Sequence, residues 1–180
     1  MAWLVVPALV GAVVLFVVNS ICWMVLKHHM SDFRRLPNRD AVDAVLKSVP
    51  PGGFYCTTHM DDYPGGCKNP DLAKRMETGP NATIIVHAPA KLMDPKVFLY
   101  GFLWNLVEAS ALVCVLHGTW GTSGMMRAAL GGALLGGLVR GTGPMSQAIW
   151  IRFPWPPAWK LILDGAAGWA IAAIVIRLVG

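Results

Sequence analysis

Apolar and polar positions alternate in long blocks along the chain. From Trp3 to Leu26 there are 24 residues without a charge. At about 1.5 Å rise per residue, a helix of that length spans a hydrocarbon core of roughly 30 Å. A cleaved secretory leader fits the segment less well. No basic residues precede it, the apolar run is too long, and Cys22-Trp23-Met24 is not a small-residue cleavage site. The pattern returns as a second span at Val97 to Leu116, which Asp94-Pro95 opens with an N-cap and a proline at the first helical position. A third, glycine-rich span runs from roughly Gly124 to Val139, and a fourth from Ala158 to Val179. Between the last two, the aromatic and proline-rich stretch 149–159 reads as an interfacial belt in which proline stops the helix.

The third span carries two ladders of small residues, Ala128/Gly132/Gly136 and Ala129/Ala133/Gly137. Such ladders let helix backbones approach closely in lipid. Arg127 and Arg140 bracket only 12 apolar residues there, so both need to snorkel or find partners.

Residues 27–94 form a polar insert that reads α, β, α, β. Asn38 caps a helix whose apolar face is Val42, Val45, Leu46 and Val49, and Pro50 to Gly53 ends it. Phe54 to Thr58 is a short strand. Asn69-Pro70 opens a second helix, Gly79-Pro80 stops it, and Ala82 to His87 is a second strand. The strands are expected to pair with the helices covering one face. A core this small is expected to lean on the membrane surface or on a partner.

The division is therefore 1–26 (first span), 27–94 (insert) and 95–180 (three further spans). Composition agrees: 55% of the 180 residues are hydrophobic and 14% are charged, against about 25% charged in an average soluble domain. The mean hydropathy is +0.52. These values exclude a disordered chain, a coiled coil and an ordinary soluble enzyme. The expected fold is a membrane all-α bundle of four transmembrane helices with a small α+β insert between the first and second. Four cysteines are too few for a disulfide scaffold.

Charge is uneven. The insert holds 9 of the 15 Lys and Arg and 8 of the 10 Asp and Glu, leaving only Glu108 and Asp164 as acids elsewhere. No block of like charge suggests nucleic-acid binding. With the insert in the cytoplasm, nine basic residues flank the inner span ends (Lys27, Arg34, Arg35, Arg39, Lys91, Lys96, Arg140, Arg152 and Lys160) and two the outer ends (Arg127 and Arg177). The positive-inside rule then puts both termini outside.

The order of motifs also carries a resemblance. Trp23 is followed by Lys27-His28-His29, Phe33-Arg34-Arg35-Leu36-Pro37 and Asp40-Ala41-Val42. Pro51-Gly52-Gly53-Phe54-Tyr55, His59-Met60, Gly79-Pro80 and a final pair of spans come next. This resembles a widespread group of uncharacterised small bacterial four-span membrane proteins with a polar insert after the first span, over nearly the whole chain. The resemblance implies the fold and a bacterial inner (cytoplasmic) membrane, and no activity. Thr58 departs from it, since members often have proline before the histidine, and Cys56 and Cys67 lie outside the shared pattern.

Several groups of residues could carry chemistry. Cys56, His59 and Cys67, near Asp61 and Asp62, combine thiolate and imidazole donors, and His28, His29 and His87 add more. Three readings stay open for the Cys56/Cys67 loop: free thiols in a turn, a disulfide in an oxidising compartment, or part of a metal site. His28 and His29, after the first span, could ligate a metal or haem, or sit among lipid headgroups and cap carbonyls. Cys22 and Cys114 read as small apolar packing residues. Asn105, Glu108, Arg127, Arg140 and Asp164 are the intramembrane polar set. Glu108 is expected to be neutral or paired, with Arg127 and Arg140 as candidate cations, and Lys160 to pair with Asp164 at i,i+4. The stretch Gly118 to Gly124 matches no phosphate loop, and the Asn81-Ala82-Thr83 triplet reads as chance. No nucleophile with its base can be assembled.

The first functional expectation is a non-catalytic integral membrane subunit, or an accessory or assembly protein of a larger complex such as a respiratory or photosynthetic one. It would bind lipid and pack its glycine ladder on that complex or on copies of itself. The alternatives are a metal- or haem-binding membrane protein using His28, His29 and His59, and a small proton-coupled transporter centred on Glu108. No cofactor is required by the sequence.

Overall fold

The computed structural model describes residues 2–118 and 124–179. Its helices and strands are α1 (Ala2–Ser20), α2 (Arg39–Leu46), β1 (Phe54–Cys56), α3 (Pro70–Thr78), β2 (Thr83–Ile85), α4 (Pro95–Gly118), α5 (Met125–Trp150) and α6 (Trp155–Val179). They fall into two compact units, Met1–Arg34 with Met93–Gly180, and Arg35–Leu92.

The first unit is helical. Three of its segments, Leu4–Val25, Pro95–Gly118 and Trp155–Val179, are long and apolar enough to cross a membrane. α1 does not end at Ser20 but widens into a π-helical turn over Ile21–Val25, where the Leu26 N–H donates to the Ile21 carbonyl at 2.9 Å. Lys27 is left-handed (φ 54°), which breaks the helix, and a 3-10 turn over His28–Asp32 comes next. Asp94 caps α4, its Oδ1 accepting from the Lys96 N–H at 3.0 Å.

α5 differs most from expectation. It runs 26 residues, through Arg140 and Pro144, instead of stopping near Val139. Its second half is too polar for it to stand with the three apolar segments. The stretch 149–159 is correspondingly shorter as a linker. α5 keeps residues as far as Trp150, Arg152 turns left-handed (φ 58°), and α6 starts at Trp155, not Ala158. Pro156 and Pro157 therefore open a helix instead of closing one, because a first-turn proline gives up an N–H with no helical partner anyway.

The Ala128/Gly132/Gly136 ladder is buried against α6 of the same chain. A Cβ on Gly132 would lie 2.5 Å from the Trp169 carbonyl oxygen, and one on Gly136 would overlap the Gly165 carbonyl. That close approach is occupied within the chain, so this ladder does not serve the expected contact with another protein. Ala129, Ala133 and Gly137 are half-buried, and Ala133 and Gly137 line an open apolar groove on the α5–α6 surface. α1 packs on α4 and α6 around Ala12, Leu15, Leu112 and Trp169. The outer faces stay apolar, with Val13, Leu134 and Leu163 each more than half exposed. Such a surface is at rest only in lipid.

The second unit is small. β1 and β2 pair antiparallel, Phe54 opposite Ile85, Tyr55 opposite Ile84 and Cys56 opposite Thr83. Both strands stop at three residues, shorter than read, and the Thr57 hydroxyl takes over by donating to the Pro80 carbonyl and accepting from the Ala82 N–H. The Pro50 to Gly53 turn needs glycine at Gly52 (φ 89°), whose N–H reaches the Val86 carbonyl. Asn69 caps α3 by accepting from the Asp71 N–H at 2.8 Å. Asn38 precedes α2 without capping it, because its backbone is left-handed and not extended, so the side chain cannot reach the first amides. Leu72 is the only buried residue described in 35–92, so the helices do not cover the sheet with a shared core as expected.

Candidate metal centre

The end of α1 and the start of α6 bring together residues that are far apart in sequence. The left-handed Lys27 turns the chain so that the His28–Asp32 turn lies over the first turns of α6. There Lys160 and Asp164 share one face, being four residues apart. His29 Nε2 lies 2.7 Å from Asp164 Oδ2, and His28 Nε2 lies 3.1 Å from both Asp164 oxygens. The ligating atoms of these three residues all fall within 4.8 Å of one another. His29 is 1% exposed, and its ring stacks on Trp23 at a centroid distance of 4.1 Å.

The surrounding shell fixes the ring. His29 Nδ1 donates to Asp32 Oδ2 at 3.1 Å, which leaves Nε2 facing Asp164. Lys160 Nζ donates to Asp32 Oδ1 at 2.5 Å, to the His28 carbonyl at 2.7 Å and to Ser31 Oγ at 2.9 Å. Burial pushes the Asp32 carboxyl up, but the Lys160 ammonium and the His29 hydrogen bond outweigh it and hold it below the usual carboxylate range. The expected Lys160–Asp164 pair is thus replaced. Lys160 turns to Asp32 and two further acceptors, and Asp164 is taken by the two imidazoles.

Protons on the two ring nitrogens can hold them on one carboxylate, and the same three groups can hold a metal ion. The outward Nδ1–H to a carboxylate is the shell that metal-ligating histidines ordinarily carry.

A second polar node lies within the helices. Arg140 Nη2 donates to Glu108 Oε2 at 2.9 Å and to Asn105 Oδ1 at 3.3 Å, and Asn19 Nδ2 donates to Asn105 Oδ1 at 3.1 Å. Of the two candidate cations, Arg140 meets Glu108, whereas Arg127 is exposed in the first turn of α5. Glu108 Oε1 is buried without a hydrogen-bond partner among the described residues.

The insert's candidate ligands do not converge. Cys56 and Cys67 are free, exposed thiols, so the disulfide reading gives way. The Cys56 thiol reaches the Thr58 carbonyl and the Cys67 thiol the Met60 sulfur. His59 is exposed and accepts from the Asp61 N–H, and His87 is exposed. No group of three ligands forms around Cys56, His59 and Cys67 among the described residues. Of the span cysteines, Cys22 is buried as expected, while Cys114 is on the outer surface of α4. Residues 119–123 of the Gly118 to Gly124 stretch lie outside the described residues.

Sequence reasoning kept His28 and His29 apart from Asp164, and it missed Trp23, Asp32 and Lys160 as their support. The available signal was scarcity: Asp164 is one of only two acids outside the insert. No protein-family model, curated protein or solved structure matches the chain.

Proposed function

We propose that this chain is a non-catalytic integral membrane protein holding a divalent transition-metal ion on His28, His29 and Asp164, where its first span ends. The observation that carries the reading is the convergence of two Nε2 atoms and one carboxylate, with His29 Nδ1 anchored to Asp32. Two imidazoles and a carboxylate suit zinc and its first-row neighbours. Bound there, the ion supplies a cross-link between the turn after α1 and the start of α6, in place of shared protons. Haem fits less well, because the rings of His28 and His29 lie only 4.3 Å apart and aim at one carboxylate, leaving no opposed faces for a porphyrin.

In the same reading α5 is the fourth span. Its 26 residues pack along α6, and its polar residue Arg140 is matched by Glu108. The pair then acts as a lock between helices and not as a proton relay. The nine-to-two count of basic residues supports a cytoplasmic insert, and the resemblance of the motif order supports a bacterial inner membrane. Membrane-impermeant thiol reagents should therefore leave the exposed Cys56 and Cys67 unlabelled in intact cells. The protein is read as one subunit of a larger assembly, joined through surfaces other than the buried ladder.

The test is metal analysis of protein purified in mild detergent and reloaded with zinc. About one equivalent should be retained after desalting. His29→Ala and Asp164→Asn should retain none while still inserting. Zinc no higher than the detergent blank in the native protein would overturn the reading and leave a proton-held ion-pair cluster.

A further inference from the structure

A groove of about 390 Å³ runs between α1 and α4. Its walls are apolar and largely aromatic: Phe16 from α1, Trp23 from the π-helical turn after it, and Phe98 and Trp104 from α4. Its polar end is Asn19, Asn105 and Arg140, two of them within the segments Leu4–Val25 and Pro95–Gly118. Midway, Gly101 leaves a gap, since a Cβ built there meets nothing within 4 Å.

The polar end has donors to spare. Arg140 uses Nη2 on Glu108 and Asn105, and Asn105 uses its oxygen on Asn19 and Arg140. Arg140 Nη1 and Asn105 Nδ2 make no hydrogen bond among the described residues. At membrane depth there is little water to take those protons, so an acceptor is favoured. An anionic acceptor is disfavoured, because Glu108 already balances the Arg140 charge and a further buried carboxylate would stand unpaired. A neutral carbonyl oxygen meets both conditions. Flat walls of indole and phenyl rings select a flat ring, and the opening toward lipid leaves room for an apolar tail.

We propose that the α1–α4 groove binds an uncharged, membrane-dissolved ring compound whose carbonyl oxygen accepts hydrogen bonds from Arg140 and Asn105 and whose apolar tail runs out to lipid, the chemistry of a quinone. The site does not involve the metal ligands, although Trp23 borders both. Only binding is assigned to it.

Trp23 and Trp104 report directly. Native protein in detergent, stripped of metal with EDTA, is titrated with decyl-benzoquinone, and tryptophan quenching and melting temperature are followed. Decanol and decanoate are the comparison probes. The quinone should quench saturably and raise the melting temperature, with decanol and decanoate doing neither. Gly101→Leu should fill the groove and abolish saturation, and Asn105→Ala, which removes one of the two proposed donors without adding bulk, should weaken it. Gly137→Leu, which fills the separate α5–α6 groove, should bind as native protein does. If Gly101→Leu does not fold, Asn105→Ala carries the comparison. Equal binding of decanol, tighter binding of decanoate, or saturation unchanged in the groove variants would each overturn the proposal.

Discussion

The two polar nodes of the membrane unit solve the same problem differently. Both set a carboxylate among apolar helices. Glu108, 4% exposed, is met by one arginine and by side chains already within the helical segments. Asp164 is met by two imidazoles delivered by a turn outside the helices, with a second carboxylate and a lysine behind them. The first node has one cation for one anion, with spare donors on Arg140 and Asn105 and a spare acceptor at Glu108 Oε1. The second places two potential metal ligands on a third. A fixed charge pair locks helices together, whereas two imidazoles converging on a carboxylate offer a cation three ligands.

Removing the arginine separates the nodes most sharply. Arg140→Leu leaves Glu108 buried without a cation and should cost about 3–5 kcal/mol in detergent melting, with zinc retention per folded molecule unchanged. The Glu108→Leu/Arg140→Leu double variant should recover most of that loss, and a double-mutant cycle showing no coupling would dissolve the lock.

One position should disturb both nodes at once. Gly165 sits next to Asp164 and presses on the Arg140 side chain, where an added Cβ would lie 2.6 Å from Arg140 Cβ and overlap the Gly136 carbonyl. Gly165→Ala should cost about 1–3 kcal/mol and lower zinc retention too. A stable, fully metal-loaded variant would show that the two nodes are not held by the α5–α6 contact.

Asp164→Asn should behave oppositely to Arg140→Leu. It should remove the zinc-dependent part of the stability, about 2.7 kcal/mol at a hundredfold excess over Kd, and little of the zinc-free stability. A gentler change tests the shell. Asp32→Asn keeps the ring contact but loses the carboxylate, and zinc affinity should fall about 10–100-fold. The smallest effect should be Glu108→Gln, which keeps a hydrogen-bond acceptor for Arg140 and should shift melting by less than about 1.5 kcal/mol with normal zinc binding.

The long apolar runs of α1, α4 and α6 were legible because membrane length and the absence of charge leave few alternatives. The α3 cap at Asn69-Pro70 was legible because capping is local. The Asn38 cap failed although the residue type was right, since the path of the chain into α2 sets its left-handed backbone and the residue type does not. The end of α5 was misread at Arg140 because a charge in a span was taken as a boundary, whereas α4 supplies its partner from 32 positions away. The metal group was invisible for the same reason. His28 and Asp164 are 136 positions apart, and what joins them is the unannounced turn at Lys27. The form of the stretch 149–159 was misread, because prolines in a first helical turn read in sequence like prolines that end one.

Cobalt(II) replacing zinc gives the most direct measurement, since its visible bands report nitrogen and oxygen ligands in a low-symmetry site. Titrated into metal-free native protein, it should produce bands that saturate near one equivalent and disappear on adding zinc. Asp164→Asn and His29→Ala should give only the spectrum of aqueous cobalt, while Glu108→Gln should match the native protein. A native protein whose cobalt spectrum stays that of the free ion, or an Asp164→Asn variant that binds as well as native, would contradict the assignment of His28, His29 and Asp164 as a metal centre.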